Sequence, residues 1–465
     1  MNTLNRRSFL SGAAISALAA AGMAGTGRDS HALSGPATEF YPSAKPFMDQ
    51  YYEGILAIVR GIRDTQVEKI AEAMNTAYAL KRSGGAIYSN VVFGHFAAFA
   101  GCRDLPGQPW VLPQYYSLLG GPFKAMKKGD FLLTNIVNMD MKADWNEESD
   151  DWKKARDRGV FIAGITNNYF KWSRTPPGAY YPRRMELSLE EIANLIIDSQ
   201  VPWDNGLVSA PRLPRFKICP STGIAQFAVY WACTASLANL IGTKGKRSGS
   251  EPARNYLNLA CERFEMIGAD RPKIDRIAER WADLVLERGA RLFVYGEPFK
   301  AAEDVVGNMF VTDAVGAANG SMIAREYSSD VRADDIVLIG SVRSNQPEEI
   351  EVARSARGKG AFTTAFCPFS TEGDASGKRL FKEVDAAFDT CCDERAGVIP
   401  VEGFPEKVSP LTGLAGNLVH WMLTAQWADH MARRGEMPYF WQGMHETGGT
   451  EYDAMIRPYF MKRGY

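Results

Sequence analysis

The sequence predicts an α/β protein made of two tandem domains, each built on a doubly wound parallel sheet. Short apolar runs alternate with helical patterns along the 465 residues, which is the pattern of βαβ units. Residues 220–225 (PSTGIA) return without a gap as residues 410–415 (PLTGLA), and Trp231 and Trp421 stay in the same register. This repeat indicates a duplicated domain, so we expect the functional site where the two similar halves meet.

Each half contains the same series of predicted elements. Three junctions between a helix end or turn and a buried strand lie in the first half at residues 84–88, 128–133 and 155–160, and in the second at 288–294, 333–338 and 356–361. We therefore divide the chain into domain 1, residues 45–245, and domain 2, residues 255–465. Both have the usual size of a domain, roughly 100–200 residues.

The N-terminal segment has the pattern of an export signal. Paired arginines, Arg6 and Arg7, are followed by Phe-Leu and by an Ala/Gly-rich apolar stretch at residues 12–24. This pattern is typical of a twin-arginine (Tat) signal, and the stretch is too short to form a stable membrane anchor. We assign residues 1–38 to the signal and a disordered tail, with the Tat translocon as a transient partner and a periplasmic or secreted destination. A chance arginine pair before an ordinary helix is the alternative.

Composition narrows the class of partner and cofactor. The net charge of −1 gives no basis for binding nucleic acid. The seven cysteines are scattered without a CxxC motif, and a chain that folds in the cytoplasm before export should keep them as free thiols. His420, His430 and His445 lack the spacing of a metal site. We expect no cofactor and no metal.

The order of several short motifs resembles the SIS (sugar isomerase) family. These motifs are YYE at residues 51–53, DTQ at 64–66, a Gly-His loop at 93–96, a serine loop with PEEIEVA at 341–353, KVSPLT at 407–412 and a Gly-Gly-acid tail at 446–451. The resemblance covers residues 45–241 and 270–455. It implies two tandem flavodoxin-like SIS domains that bind a small-molecule sugar or phosphosugar, and it leaves a homodimer open.

The loops after the second strand of each half should contact the ligand, because doubly wound sheets bind ligands where the strand order reverses. The first half presents Asn135 there without the glycine and serines of a phosphate loop, and an acidic segment follows. The second half presents Ser341, Arg343, Ser344 and Asn345, whose hydroxyl, amide and guanidinium groups could bind a sugar or an anion. The alternative is that the serine and asparagine side chains only cap the next helix.

Catalytic candidates lie near the first strand of each half and in the tail. His95 sits in an aromatic loop and could transfer protons near neutral pH, unless it is merely packed among aromatic rings. The resemblance to isomerases implies a carboxylate base, for which Glu297 and Glu326 are candidates. His445 and Glu451 of the tail could close the site, or the tail could be a hydrophobic clamp. We predict a sugar isomerase or epimerase-like enzyme acting on a neutral or phosphorylated sugar; the alternative is a non-catalytic sugar-binding or regulatory protein.

Overall fold

The structure is a computed structural model. It describes residues 45–91, 111–112, 125–135, 146–166, 189–202, 205–213, 216–296, 299, 320–370, 377–393, 397–442 and 449–465. The predicted α/β class is confirmed: two parallel sheets are each followed by a two-stranded antiparallel hairpin and a long buried helix.

The first half begins with two consecutive helices and continues into a four-stranded parallel sheet. Its elements are α1 (Phe47–Thr65), α2 (Val67–Arg82), β1 (Ile87–Asn90), β2 (Phe131–Asn135), α3 (Asn146–Asp157), β3 (Phe161–Thr166), α4 (Leu189–Ile192), β4 (Leu195–Asp198), β5 (Gly206–Val208), β6 (Ile218–Pro220) and α5 (Thr222–Gly242). The sheet has the order β1-β2-β3-β4, and β5 pairs with β6.

The second half repeats this series. Its elements are α6 (Ser250–Ala269), α7 (Arg271–Arg288), β7 (Leu292–Tyr295), β8 (Arg325–Glu326), β9 (Ile336–Gly340), α8 (Pro347–Gly358), β10 (Phe362–Cys367), α9 (Leu380–Glu383), β11 (Ala386–Asp389), β12 (Gly397–Ile399), β13 (Val408–Pro410), α10 (Thr412–Arg433) and α11 (Gly449–Arg463). The sheet order is β8-β7-β9-β10-β11. Counted along the second half, this is the order 2-1-3-4-5 of the flavodoxin-like fold, with its switch point between β7 and β9.

Each sheet is covered on both faces, as the doubly wound class requires. In the first sheet Phe131 and Leu133 face the main helical core, while Leu132 faces Trp152 of α3 in a separate cluster. In the second sheet Leu338 faces the main core, and its neighbours on β9 pack against α8 and α9. Alternation along each strand therefore sends successive side chains to two different apolar layers.

The same buried aspartate precedes the second strand of each half. Asp130 accepts hydrogen bonds from the backbone N–H of Ala86 at 2.8 Å and of Lys127 at 2.9 Å. Asp335 accepts the equivalent bonds from Arg291 at 2.9 Å and Arg332 at 3.0 Å. These bonds satisfy a carboxylate out of water and join two neighbouring strand starts. Duplication of an ancestral half remains our interpretation of this correspondence.

The longest helices form the centre of the molecule. α5 and α10 are buried around almost their whole circumference, because their sequences are apolar or small on every side. Of the helices in the described ranges, α5 is the one long and apolar enough to cross a membrane, and 94% of that stretch is buried inside the protein. In this fold, α5 is a core helix.

The two halves share this helical core. α1 of the first half packs against α10 of the second, and α6 of the second half packs against α5 of the first. Tyr51 of α1 donates to the Pro220 carbonyl at 3.3 Å, and Tyr256 of α6 donates to the Pro410 carbonyl at 2.9 Å. The N-terminal helices of the two halves therefore occupy matching places between the two long helices.

Candidate functional site

The switch point of the second half is the place where the ends of β7 and β9 touch. Gly296 directly follows β7 with φ +117°, and a Cβ added there would lie 1.9 Å from the carbonyl oxygen of Gly340 at the end of β9. Only glycine tolerates this conformation and this backbone approach. The crevice between the two strand ends is consequently narrow at its base.

The loop after β9 is held by its own serine hydroxyls. Ser341 donates through Oγ to the carbonyl of Arg343 and accepts from the N–H of Arg343 at 3.2 Å. Ser344 donates through Oγ to the carbonyl of Ser370 at 3.2 Å, and its own carbonyl accepts from Leu380 N–H at 2.6 Å. Both serines are fully buried. They shape the loop, while Arg343 and Asn345 are partly exposed beside it.

The start of α8 bears on the alternative that these side chains only cap the next helix. The N-cap of α8 is Gln346, and no side chain makes a capping hydrogen bond there. The first turn carries Glu348 and Glu349 after Pro347 at N1. These acids lie at the positive end of the helix dipole, beside the edge of the crevice.

A buried arginine ties this loop to the one after β10. Arg379 is 2% exposed, and it donates through Nε to the Ser370 carbonyl at 3.2 Å and through Nη1 to the Lys378 carbonyl at 3.0 Å. Together with Arg343 and the exposed Lys378, it brings positive charge to the carboxyl edge of the second sheet. Sequence reasoning missed Arg379, because a lone arginine in a loop has no periodicity or motif that marks it as buried.

The carboxyl ends of β1 and β2 in the first half carry amide side chains. Asn135, at the end of β2, donates through Nδ2 to Oε1 of Gln226 on α5. Asn90, at the end of β1, is 1% exposed, and both polar atoms of its side chain lack a partner in the described ranges. Its carbonyl accepts from Thr134 Oγ1 at 3.2 Å. The first half thus presents uncharged donors and acceptors where the second presents guanidinium groups.

The remaining predicted residues are spread over other elements. Glu326 is exposed on β8, the edge strand that pairs with β7. Glu451 is exposed in the first turn of α11, and the next residue, Tyr452, packs edge-on against Phe216 of the first half at 5.4 Å between ring centroids. The tail therefore reaches the first half. His95, Glu297 and His445 lie outside the described residues.

A buried histidine lies under the second-half crevice. His420 of α10 is fully buried and packs against the rings of Phe299, Phe366 and Trp421. Burial lowers the pKa of His420 to about 3, so the ring is neutral at physiological pH. In the described part of the chain, no group of three His, Cys, Asp or Glu residues is arranged to hold a metal ion.

Comparisons with known proteins support few conclusions beyond the fold. No protein-family profile matches the chain. A UPF0309 protein of Shouchella clausii is 26% identical over 135 residues, which are 28% of this chain and 55% of the relative. The chain therefore spans about half the length of this curated relative.

Solved structures with a similar fold include three proteins named for sugar chemistry. A presumed phosphosugar isomerase of Silicibacter pomeroyi has a TM-score of 0.45 at 14% identity, covering 85% of this chain and 100% of its own. Tagatose-6-phosphate ketose/aldose isomerase of Escherichia coli has a TM-score of 0.44 at 13% identity, covering 85% and 95%. The C-terminal domain of glucosamine-fructose-6-phosphate aminotransferase of Francisella tularensis has a TM-score of 0.39 at 11% identity, covering 79% and 96%. At these values the likeness carries no function to this protein.

Proposed function

We propose that the second half binds a carbohydrate derivative through an anionic group at the switch point between β7 and β9, in an SIS-type site. The observation that carries this proposal is the loop after β9, which its own hydroxyls hold in place beside Arg343 and the first turn of α8. A guanidinium group and helix N-terminal amides are the usual partners of a phosphate or carboxylate.

The charges around this loop favour an anion over a neutral ligand. Arg343, Lys378 and Arg379 lie on the loops that follow β9 and β10, against the two acids in the first turn of α8. The hydrogen bonds of Ser341 and Ser344 hold the loop in one conformation before the ligand arrives. Because such a loop loses little entropy on binding, these serines would increase affinity without contacting the ligand. The sugar hydroxyls would lie toward β7, where Tyr295 and Tyr327 pack edge-on at 5.7 Å.

Isomerisation is the reaction that this site would support. A carboxylate must take a proton from one carbon of the sugar and return it to the neighbouring carbon. Glu326 is the last residue of β8 and pairs with Val294 of β7. Binding without turnover is the second candidate, and the exposure of Glu326 favours it, because a base surrounded by water has no fixed position.

Affinity for matched sugars tests the proposal. Thermal shift and calorimetry with glucose 6-phosphate, fructose 6-phosphate, tagatose 6-phosphate, the free hexoses and inorganic phosphate should show binding of at least one phosphorylated sugar. Arg343→Ala should weaken that binding by about 10–100-fold, as expected for one charge-assisted contact of about 1–3 kcal/mol. Arg280→Ala, at an exposed position on α7, is the control.

Two results would contradict the proposal: no phosphorylated sugar binds, or Arg343→Ala binds it as tightly as the wild type. Turnover is measured separately on the ligand that binds. If Glu326→Gln abolishes isomerisation and leaves affinity unchanged, the enzyme candidate is supported; binding with no turnover in the wild-type protein supports the sensing candidate.

A further inference from the structure

A second cavity lies apart from the switch point, between α6 and β12. This groove has a volume of about 490 Å³ and is lined by Arg247, Glu251, Asn255, Asn258, Glu262 and the strand residues 398–400, among others. It shares no lining residue with the loops after β7, β9 and β10. Its volume falls in the range of sites for small ligands, roughly 300–1,000 Å³.

One wall is a polar stripe on α6. Glu251, Asn255, Asn258 and Glu262 are spaced by four, three and four residues, which brings them to the same side of a helix. At a rise of 1.5 Å per residue the stripe is about 16 Å long. A glutamate stands at each end and two asparagines stand between them, so the wall suits an elongated ligand.

The other surfaces are apolar. Val398 and Ile399 of β12 and the next residue, Pro400, form the facing wall, and Pro252 and Leu259 lie between the polar residues on the α6 side. Asn239, at the end of α5, closes the groove with its side chain already donating to the Ser248 carbonyl at 3.0 Å. The groove therefore combines a row of polar groups with carbon surfaces along its length.

The corresponding place in the first half is filled. Between α1 and β5, the Gln50 side chain accepts a hydrogen bond from Ser209 N–H at 3.1 Å, and a Cβ on Gly54 would lie 3.2 Å from Leu207. Tyr51 and Tyr256 make equivalent bonds, so Asn255 stands where the first half has Gln50, and Leu259 stands where it has Gly54. Asn255 has a shorter side chain than Gln50, so it cannot bridge the helix and the strand in the same way. Leu259 fills space that Gly54 leaves free, and it keeps β12 away from α6.

The charges and amides of the groove select an uncharged, hydroxyl-rich ligand. The two glutamates and one arginine give the groove a net charge of −1. The two carboxylates would repel a phosphate, and Arg247 would repel a polycation. Amide groups donate and accept, which matches sugar hydroxyls, and the apolar wall suits the C–H faces of a sugar ring. We propose that this groove binds a neutral oligosaccharide chain, independently of the site proposed at the switch point.

Calorimetry with neutral tetrasaccharides tests this inference. Cellotetraose, maltotetraose and chitotetraose are titrated into the full chain, and at least one should bind. The double variant Asn255→Ala/Asn258→Ala should weaken binding by about tenfold or more, since each lost hydrogen bond to an uncharged partner costs a few-fold in affinity. Asn75→Ala, an exposed asparagine on α2, is the matched control and should leave affinity unchanged.

A variant that fills the groove and one that leaves it untouched complete the design. Asn258→Trp should abolish tetrasaccharide binding, whereas Arg343→Ala should preserve it, which separates this groove from the switch point. The inference is overturned if none of the three tetrasaccharides binds, if the double variant binds as well as Asn75→Ala, or if a tetralysine peptide binds here and the sugars do not.

Discussion

Three buried ionisable side chains meet the cost of burial in three different ways. Asp335 accepts two backbone N–H bonds and pairs with the Arg291 guanidinium at 2.6 Å. His420 loses its charge, since burial among aromatic rings lowers its pKa to about 3. Asp453 of α11 has one backbone bond, from Gln442 N–H at 2.9 Å, and burial raises the pKa of its carboxyl to about 7.

Asp453→Asn should make the protein more stable at pH 8 than the wild type. The folded-state pKa of about 7 lies above the unfolded value of about 3.9, so the folded state holds an extra proton between these values. The contribution of Asp453 to the free energy of unfolding is therefore most favourable below about pH 4, and it is lost as the pH rises through 7. At 1.36 kcal/mol per pKa unit the loss is at most about 4 kcal/mol, and asparagine avoids it while keeping the acceptor for Gln442.

Urea unfolding at pH 5 and pH 8 measures this effect. The difference in free energy of unfolding between wild type and Asp453→Asn should grow in favour of the variant from pH 5 to pH 8. Glu287→Gln, at an exposed position on α7, is the control for loss of a carboxylate. An equal difference at both pH values would show that Asp453 ionises normally in the folded protein.

At the scale of elements, the strand ends set the shape of the candidate site. β7 and β9 lie side by side, and Gly296 allows their carboxyl ends to touch. The end of α7 is less crowded than these strand ends. Its cap, Gly289, has the left-handed conformation common at helix ends, with φ +65°. A Cβ added there would meet no atom within 4 Å. Two glycines with positive φ in the same half therefore differ in what surrounds them.

Gly296→Ala should destabilise the second half more than Gly289→Ala. Alanine at Gly289 has only the left-handed conformation to overcome, which costs about 1–2 kcal/mol. Alanine at Gly296 adds a collision with the Gly340 carbonyl, so β7 and β9 must separate and the total cost should exceed about 2 kcal/mol. Thermal unfolding of the two variants provides the comparison. Equal losses would mean that the strand ends move apart without cost.

At the scale of the whole molecule, the two halves are joined through their helices. α1 and α6 each pack against the long helix of the other half, and a Cβ at Gly242 of α5 would lie 1.8 Å from the Glu402 carbonyl in the second half. The backbones of the two halves are therefore in direct contact at Gly242 and Glu402. The candidate site at β7/β9 and the groove at α6 both belong to the second half, whereas the first half has amide side chains at the ends of β1 and β2 and a filled counterpart of the groove.

Export of the folded protein follows from the paired arginines of the N-terminal segment, and we propose it for this chain. Arg6→Lys/Arg7→Lys should retain the protein in the cytoplasm, because the translocon recognises the arginine pair as an address. Cell fractionation and immunoblotting measure the distribution, with Arg28→Lys as the control for a single change outside the pair. Recovery of the double variant from the periplasm in wild-type amounts would contradict the proposal.

Local patterns in the sequence determined the elements and their order. The alternation of apolar runs and helical segments predicted the parallel sheets, and the repeated PxTGxA motif begins α5 and α10. These features depend on residues close together in the chain, so their periodicity is visible without a structure. Arg343 and Ser341 were predicted as site residues because they follow the second predicted strand of the second half, and doubly wound sheets bind ligands at such strand ends.

Only the tertiary structure decided how those residues are used. Ser344 bonds to Ser370 and Arg379 lies buried beneath the same loop, which joins segments distant in sequence. The groove exists because Asn255 and Leu259 differ from their first-half counterparts in length and bulk, and it opens only where β12 faces α6. Apolar periodicity shows which face of an element is buried, but it does not show which distant segment packs there, because the partner is set by packing in three dimensions.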